Sequence, residues 1–290
     1  MAALVSERIG QFFIDGDRLE YTEYGGGDNW VVLVHGQLMP RRMHQPLARA
    51  IAGAGYHVVT VDLLGHGRSD RPADPMLYSM TAFGEQVVAL LDHLGVDQAV
   101  IGGTSLGANV SLEVADIAPE RVRGLIAEMP VLDNAVEAGI LAFAPLMFVA
   151  RFLPLTVTAT RAVTKLVPRG VVPFWVGVGL DTLKQRPAPM AAAVHGIFFG
   201  RVAPSSRLRR KISAPTLVVG HRRDPIHPWA DAALLAEELP AARFVEARSI
   251  LEWRLYPDRL NREAIAFLGE CHHPAKARRT RNGRSGVRPT

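Results

Sequence analysis

Long apolar runs are what this 290-residue chain has least of. A membrane-crossing helix needs about 20 predominantly apolar residues. The nearest approach, Ala138 to Leu155, is cut by Pro145, Arg151 and Pro154. No crossing is expected, and an apolar surface there leaves only peripheral membrane contact open. The N-terminal MAALVSERIG lacks the continuous apolar segment of a secretory signal. Cysteine is almost absent: with Cys271 alone no disulfide can form within the chain, which fits a reducing compartment and a cytoplasmic location. Compact metal-ligand spacing is missing too, His221, Asp224 and His227 reading as a turn. Gly102-Gly103 lacks the third glycine of a dinucleotide fingerprint, so neither a metal nor any other cofactor is expected.

Charge is unbalanced in one place. From Glu270 to Thr290 six cations, Lys276, Arg278, Arg279, Arg281, Arg284 and Arg288, face Glu270 alone. The whole formal charge of +5 therefore belongs to residues 270–290, and residues 1–269 are formally neutral. That segment has no apolar periodicity and reads as a basic, disordered tail. No nucleic-acid-binding signature accompanies it, so no specific nucleic-acid partner is expected.

What is present is a core: 48% of the residues are apolar, enough for one large domain. Phe12–Asp15 and Asp17–Tyr24 read as a hairpin turning at Asp15-Gly16. Short apolar runs follow at Trp30–Val34, His57–Val61, Ala99–Gly102, Val122–Ala127, Pro215–Gly220 and Arg243–Ala247, separated by helical stripes. Such alternation is the pattern of a mainly parallel sheet covered by helices on both faces, an α/β fold. Between residues 130 and 210 the strand rhythm stops, and proline-punctuated apolar stretches such as Val171–Leu180 and Met190–Phe199 read as a helical cap. The expected organisation is a core of residues 1–129 and 211–269, a cap of residues 130–210 and a tail of residues 270–290.

Gly103-Thr104-Ser105-Leu106-Gly107 fits G-x-S-x-G between an expected strand and an expected helix. That context matters, because the serine must take a strained backbone while the glycines clear space for strand and helix to cross. Ser105 Oγ would then stand exposed at a helix N-terminus, whose dipole favours developing negative charge. The backbone N–H groups of Leu106 and of Gln37, in the His35-Gly36-Gln37 turn, would form an oxyanion hole, each donor worth about 3 kcal/mol in the transition state. His35 reads as an orienting residue of that turn. Asp224 lies just past the strand at Pro215–Gly220, where the carboxyl ends of parallel strands converge on one crevice, and is the candidate acid. Glu128, at another strand end, is the reserve.

The segments HGQ, DLLGHGRSD, GGTSLGAN and GHRRDP stand in the order of the α/β-hydrolase superfamily, and the chain resembles its esterase- and lipase-like branch over Phe12 to Leu268. The resemblance implies a Ser105 nucleophile, oxyanion donors at Gln37 and Leu106 and an acid at Asp224. Serine at the elbow argues against epoxide hydrolases, which place aspartate there.

The family also expects a histidine after the last strand, where this chain reads Phe244 to Trp253 with none; Ser249 or Ile250 occupies the place. A serine hydroxyl has no useful proton affinity, so the base must come from elsewhere. His227, three residues past Asp224, is the first candidate, followed by His44 and His195. Three functions remain open on the sequence. The first is a serine hydrolase of an ester or related acyl compound acting through a Ser105 acyl-enzyme; Phe143, Met147, Phe174, Trp175 and Met190 in the cap point to a small lipophilic acyl-containing partner. The second is a catalytically silent binding protein. The third is a cofactor-independent, non-hydrolytic enzyme using the same pocket. Either a monomer or a homodimer is compatible with the chain.

Overall fold

The computed structural model describes residues 5–132, 148, 152, 154–198 and 200–272. Phe143, Met147 and the basic stretch from residue 273 lie outside them. Eight strands form one sheet: β1 (Glu7–Ile14), β2 (Asp17–Gly25), β3 (Trp30–Val34), β4 (His57–Asp62), β5 (Ala99–Thr104), β6 (Val122–Glu128), β7 (Thr216–His221) and β8 (Ala242–Ala247). Their spatial order is β1-β2-β4-β3-β5-β6-β7-β8. Strand β2 runs antiparallel to both its neighbours, and the six strands from β4 to β8 in that order are parallel.

Side chains on a strand alternate between faces, and here both faces are apolar because both are covered. Val32, Val34 and Ile101 pack with Phe83, Val87 and Leu91 of α2 (Met80–Leu94) and Leu112 of α3 (Leu106–Ile117). Val31, Leu33 and Val100 point the other way, to Ala48 and Ile51 of α1 (Gln45–Gly53). Strand β3 thus contributes to two cores, each fully buried side chain worth about 1.5–3 kcal/mol. Ser79 caps α2 by accepting from the Ala82 amide, and Gly95 ends it in the left-handed conformation.

Among the described residues, the stretch between β6 and β7 carries α4 (Pro154–Leu166), α5 (Phe174–Leu183) and α6 (Pro187–Phe198), with a shorter helix before β7. Two side chains tie the passages into and out of this stretch to the core. Asn109 Nδ2 donates to the carbonyls of Val131 and Val202, each at 2.6 Å, while its Oδ1 accepts from the Val131 amide. Asp231, fully buried, accepts from the Leu132 amide at 2.6 Å. Gly196 lets α6 press on the loop before α2, since a Cβ there would lie 2.6 Å from the Pro75 carbonyl oxygen.

Short α7 (Ser206–Arg209) precedes β7; α8 (Trp229–Glu238), α9 (Glu252–Leu255) and α10 (Asp258–His272) complete the order. Several boundaries differ from the sequence reading, and β1 begins at Glu7 rather than at Phe12. Helix α3 begins at Leu106, directly after the elbow serine, rather than at Ala108. Helix α10 runs on to His272, so residues 270–272, placed in the tail by charge, are helical. Cys271 is buried there, and its enclosure pushes the thiol up to about 12, which makes it unreactive near neutrality. Among the described residues no helix is long and apolar enough to cross a membrane, and no group of three or more His, Cys, Asp or Glu side chains could hold a metal ion.

Candidate active site

The order of strands reverses direction between β3 and β5, so the loops leaving these neighbours part and open a crevice at their carboxyl ends. Ser105 stands there. Its φ of 55° and ψ of −110° lie outside the basins of an L-residue, a strain of about 1–3 kcal/mol. The structure holds it from both sides. The Ser105 amide donates to the Glu128 carbonyl at 2.8 Å, and its own carbonyl accepts from Asn109 at 3.1 Å. Glycine is required on either side: a Cβ on Gly107 would lie 2.6 Å from the Val34 carbonyl carbon, and one on Gly103 would lie 2.8 Å from Gly107 Cα.

Ser105 Oγ is 2.9 Å from Nε2 of His227, and the other ring nitrogen, Nδ1, is 2.9 Å from Oδ2 of Asp224. The remaining Asp224 oxygen accepts from the amides of Ile226 and His227, both at 2.9 Å. That Asx turn folds the Asp-Pro-Ile-His segment back on itself and delivers the ring to the serine. Burial pushes the Asp224 carboxyl up, but its bonds to the His227 ring and to the two amides outweigh this and hold it below its ordinary value. Asp224 is therefore an ionised acceptor that fixes the proton on Nδ1. Nε2 is left as an acceptor for the serine hydroxyl, the arrangement a general base needs.

The turn after β3 carries Gln37. Met39 donates to the Gly36 carbonyl at 3.0 Å, closing Gly36–Met39, with Leu38 at φ 62°. His35 orients this turn, as expected: it is fully buried, Nδ1 donates to the Gly36 carbonyl at 2.9 Å, and Nε2 accepts from the Leu63 amide at 3.1 Å. Burial drives its pKa down to about 3, so it stays neutral and is no base. From the other side Thr182 Oγ1 donates to the Leu38 carbonyl at 3.1 Å, and Gln185 does the same. Leu106 opens α3, where the first amides have no partner inside the helix. The side-chain amide of Gln37 is enclosed and has no hydrogen-bond partner on either Nε2 or Oε1.

The other candidates have different surroundings. His44 is buried and donates to the Val34 carbonyl at 3.0 Å, with burial lowering its pKa to about 4. His195 is on an exposed face of α6. Glu128 is not the partner of a histidine: Arg254 Nη2 donates to it at 2.7 Å and Thr104 Oγ1 donates to the same carboxylate oxygen.

Residues 29–166 match the family model of the alpha/beta hydrolase fold. A relative from Acinetobacter baylyi, 3-oxoadipate enol-lactonase 2, is 31% identical over 189 residues, covering 63% of this chain and 67% of its own length. The chain belongs to the α/β-hydrolase superfamily. A second relative, "Putative carbamate hydrolase RutD" of Azorhizobium caulinodans, is 28% identical over 269 residues, 88% of this chain and 97% of the relative. Among solved structures, the enol-lactonase of Burkholderia xenovorans LB400 superposes with a TM-score of 0.73 at 20% identity, covering 90% of this chain and all of that one, and shares the fold. The named relatives are hydrolytic enzymes, and this α/β hydrolase is one as well.

Within the superfamily its departure is local. After β8, where a histidine is expected, the chain instead forms α9, whose Arg254 reaches the Glu128 carboxylate and, at 3.3 Å, Thr104 Oγ1. Glu128 is buried; enclosure raises its pKa, but the Arg254 charge and the bonds from Arg254 and Thr104 prevail and lower it. Trp175 of α5 donates to the Arg254 carbonyl at 2.8 Å. Sequence reasoning missed this group, because neither α9 nor its contact with β6 leaves a local signal.

Proposed function

We propose that this α/β hydrolase is a serine hydrolase of an ester or related acyl compound, acting through a Ser105 acyl-enzyme. One observation carries the reading: Ser105 Oγ, the His227 ring and the Asp224 carboxylate are joined in series by two 2.9 Å contacts. As Oγ attacks the carbonyl carbon, His227 Nε2 takes the hydroxyl proton. Charge gathers on the carbonyl oxygen, facing the N–H groups of Leu106 and Gln37 and the positive end of α3. The imidazolium, stabilised by Asp224, passes its proton to the leaving alkoxide. Water then attacks the acyl-enzyme with His227 again as base, releasing the acid and returning the proton to Ser105.

The idea of a catalytically silent protein rests on the histidine-free loop after β8, and His227 beside Ser105 removes that ground. The apolar composition of the helices between β6 and β7, part of which packs into the core, supports a lipophilic substrate. The enclosed Gln37 amide lacks a partner that one polar group of the substrate would supply.

The test is turnover of p-nitrophenyl esters of increasing acyl length. Measurable kcat/KM that rises from acetate to longer chains and falls at least about 10³-fold in Ser105→Ala is the expected result. Equal turnover by Ser105→Ala would overturn the assignment.

A further inference from the structure

A second cavity, of about 660 Å³, shares no lining residue with the Ser105–His227–Asp224 group. It is bordered by η1 (Arg41–His44), by the loop after β4 and by the end of α5. Its charges are uneven. Arg41, Arg42, Arg68, Arg71 and Lys184 line it together with the carboxylates of Glu7, Asp62 and Asp181. All three carboxylates are engaged: Asp62 by Arg41, Asp181 by Arg42 and Glu7 by Arg49. Arg68, Arg71 and Lys184 have no ion pair among the described residues. Arg71 is half-buried, and its guanidinium donates to the Gly67 carbonyl, a neutral acceptor. Loss of water around it pulls its pKa down, the charge of Asp62 and the Tyr78 ring work against this, and the Arg161 charge adds to the lowering. Three cations that line one cavity without an ion pair of their own, beside carboxylates already engaged by other arginines, form a site that an anion would stabilise.

We propose that this cavity binds a phosphate-type dianion, held between Arg68 and Arg71 of the core and Lys184 beside α5. Guanidinium forks match the spacing of phosphate oxygens, and a doubly charged group with several acceptor atoms can engage three donors at once. Such a ligand would cross-link the core to the end of α5. The same helix end supplies Thr182 and Gln185, which hold the Leu38 carbonyl in the Gln37 turn. Its occupancy would therefore steady the oxyanion turn. Only this consequence rests on the hydrolase reading; binding itself does not.

The experiment is calorimetric titration of the full chain with inorganic phosphate at fixed ionic strength, repeated with glycerol phosphate and with acetate. Saturable one-to-one binding is expected in the unchanged protein and in Ser105→Ala. It should weaken roughly tenfold in Arg68→Gln and in Lys184→Gln, and Arg68→Lys, which keeps the charge but not the fork, should fall between. Binding should also strengthen from pH 5.5 to 7.5 as the second phosphate proton leaves. Tighter binding of glycerol phosphate would make the ligand a phosphate ester; tighter binding of inorganic phosphate would make it the free ion. No saturable heat, equal binding of acetate, loss in Ser105→Ala, or indifference to the Arg68 and Lys184 changes would each overturn the proposal.

Discussion

His227 follows Asp224 by three residues, and one carboxylate accepts from both its backbone amide and its ring. Acid and base therefore arise from a single turn after β7, rather than from two loops after different strands. This coupling makes Asp224→Asn informative. The variant retains an oxygen for the amides, but its NH2 group can face Nδ1 and favour the wrong tautomer. We expect kcat to fall by about 10³- to 10⁴-fold with KM little changed, measured on the best p-nitrophenyl ester.

Stability should decline on the acid side because three histidines are buried neutral. The folded state holds His35 and His66 at about 3 and His44 at about 4, each lowered chiefly by burial, against an ordinary 6.5. Between those values the unfolded chain binds more protons, so stability is complete above about pH 6.5 and is lost as pH falls towards 4 and 3. Each histidine accounts for about 1–2 kcal/mol between pH 7 and pH 5. Urea unfolding at these pH values should show a midpoint that drops steeply; a flat midpoint would contradict the buried, neutral state.

The elbow glycines answer to a steric test. Gly107→Ala would drive a Cβ into the Val34 carbonyl group, and neither the strand nor the helix can yield without moving the other. A loss of at least about 3 kcal/mol in urea unfolding is expected. Gly53→Ala serves as the control, since nothing lies within 4 Å of a Cβ there.

Much of this was legible in the sequence. The parallel strands announce themselves as short apolar runs because both sheet faces are covered, and Ser105 is marked by the glycines its strained turn requires. Asp224 follows from its place beyond a strand. The base was harder to see. Three-residue spacing alone does not say where a ring points, and the decisive feature is the Asx turn, in which Asp224 accepts from Ile226 and His227. Asp-Pro-x-His was the available signal. Arg254 and Glu128 lie 126 residues apart, as do other partners brought together only by the fold, and no local pattern links them. The cationic cavity was equally hidden, since its residues come from separate loops and sum to little in any one stretch.

Arg254→Met should expose how much depends on that pair. It leaves the carboxylate buried without its cation on Glu128, the residue whose backbone carbonyl accepts from the Ser105 amide. We expect a loss of about 3–5 kcal/mol, most of it recovered when Glu128→Gln is added, because the penalty lies in the unpaired charge. Urea unfolding of both single variants and the double variant measures this as a cycle. Additive losses would mean that the two residues are energetically independent.

The central claim is that His227 activates Ser105, and intact-mass spectrometry after exposure to a fluorophosphonate tests it most directly. The account predicts one adduct within minutes on the unchanged protein, none on Ser105→Ala, and labelling at least about 10³-fold slower on folded His227→Gln. Labelling of His227→Gln at the unchanged rate would contradict the account and assign the base to another residue.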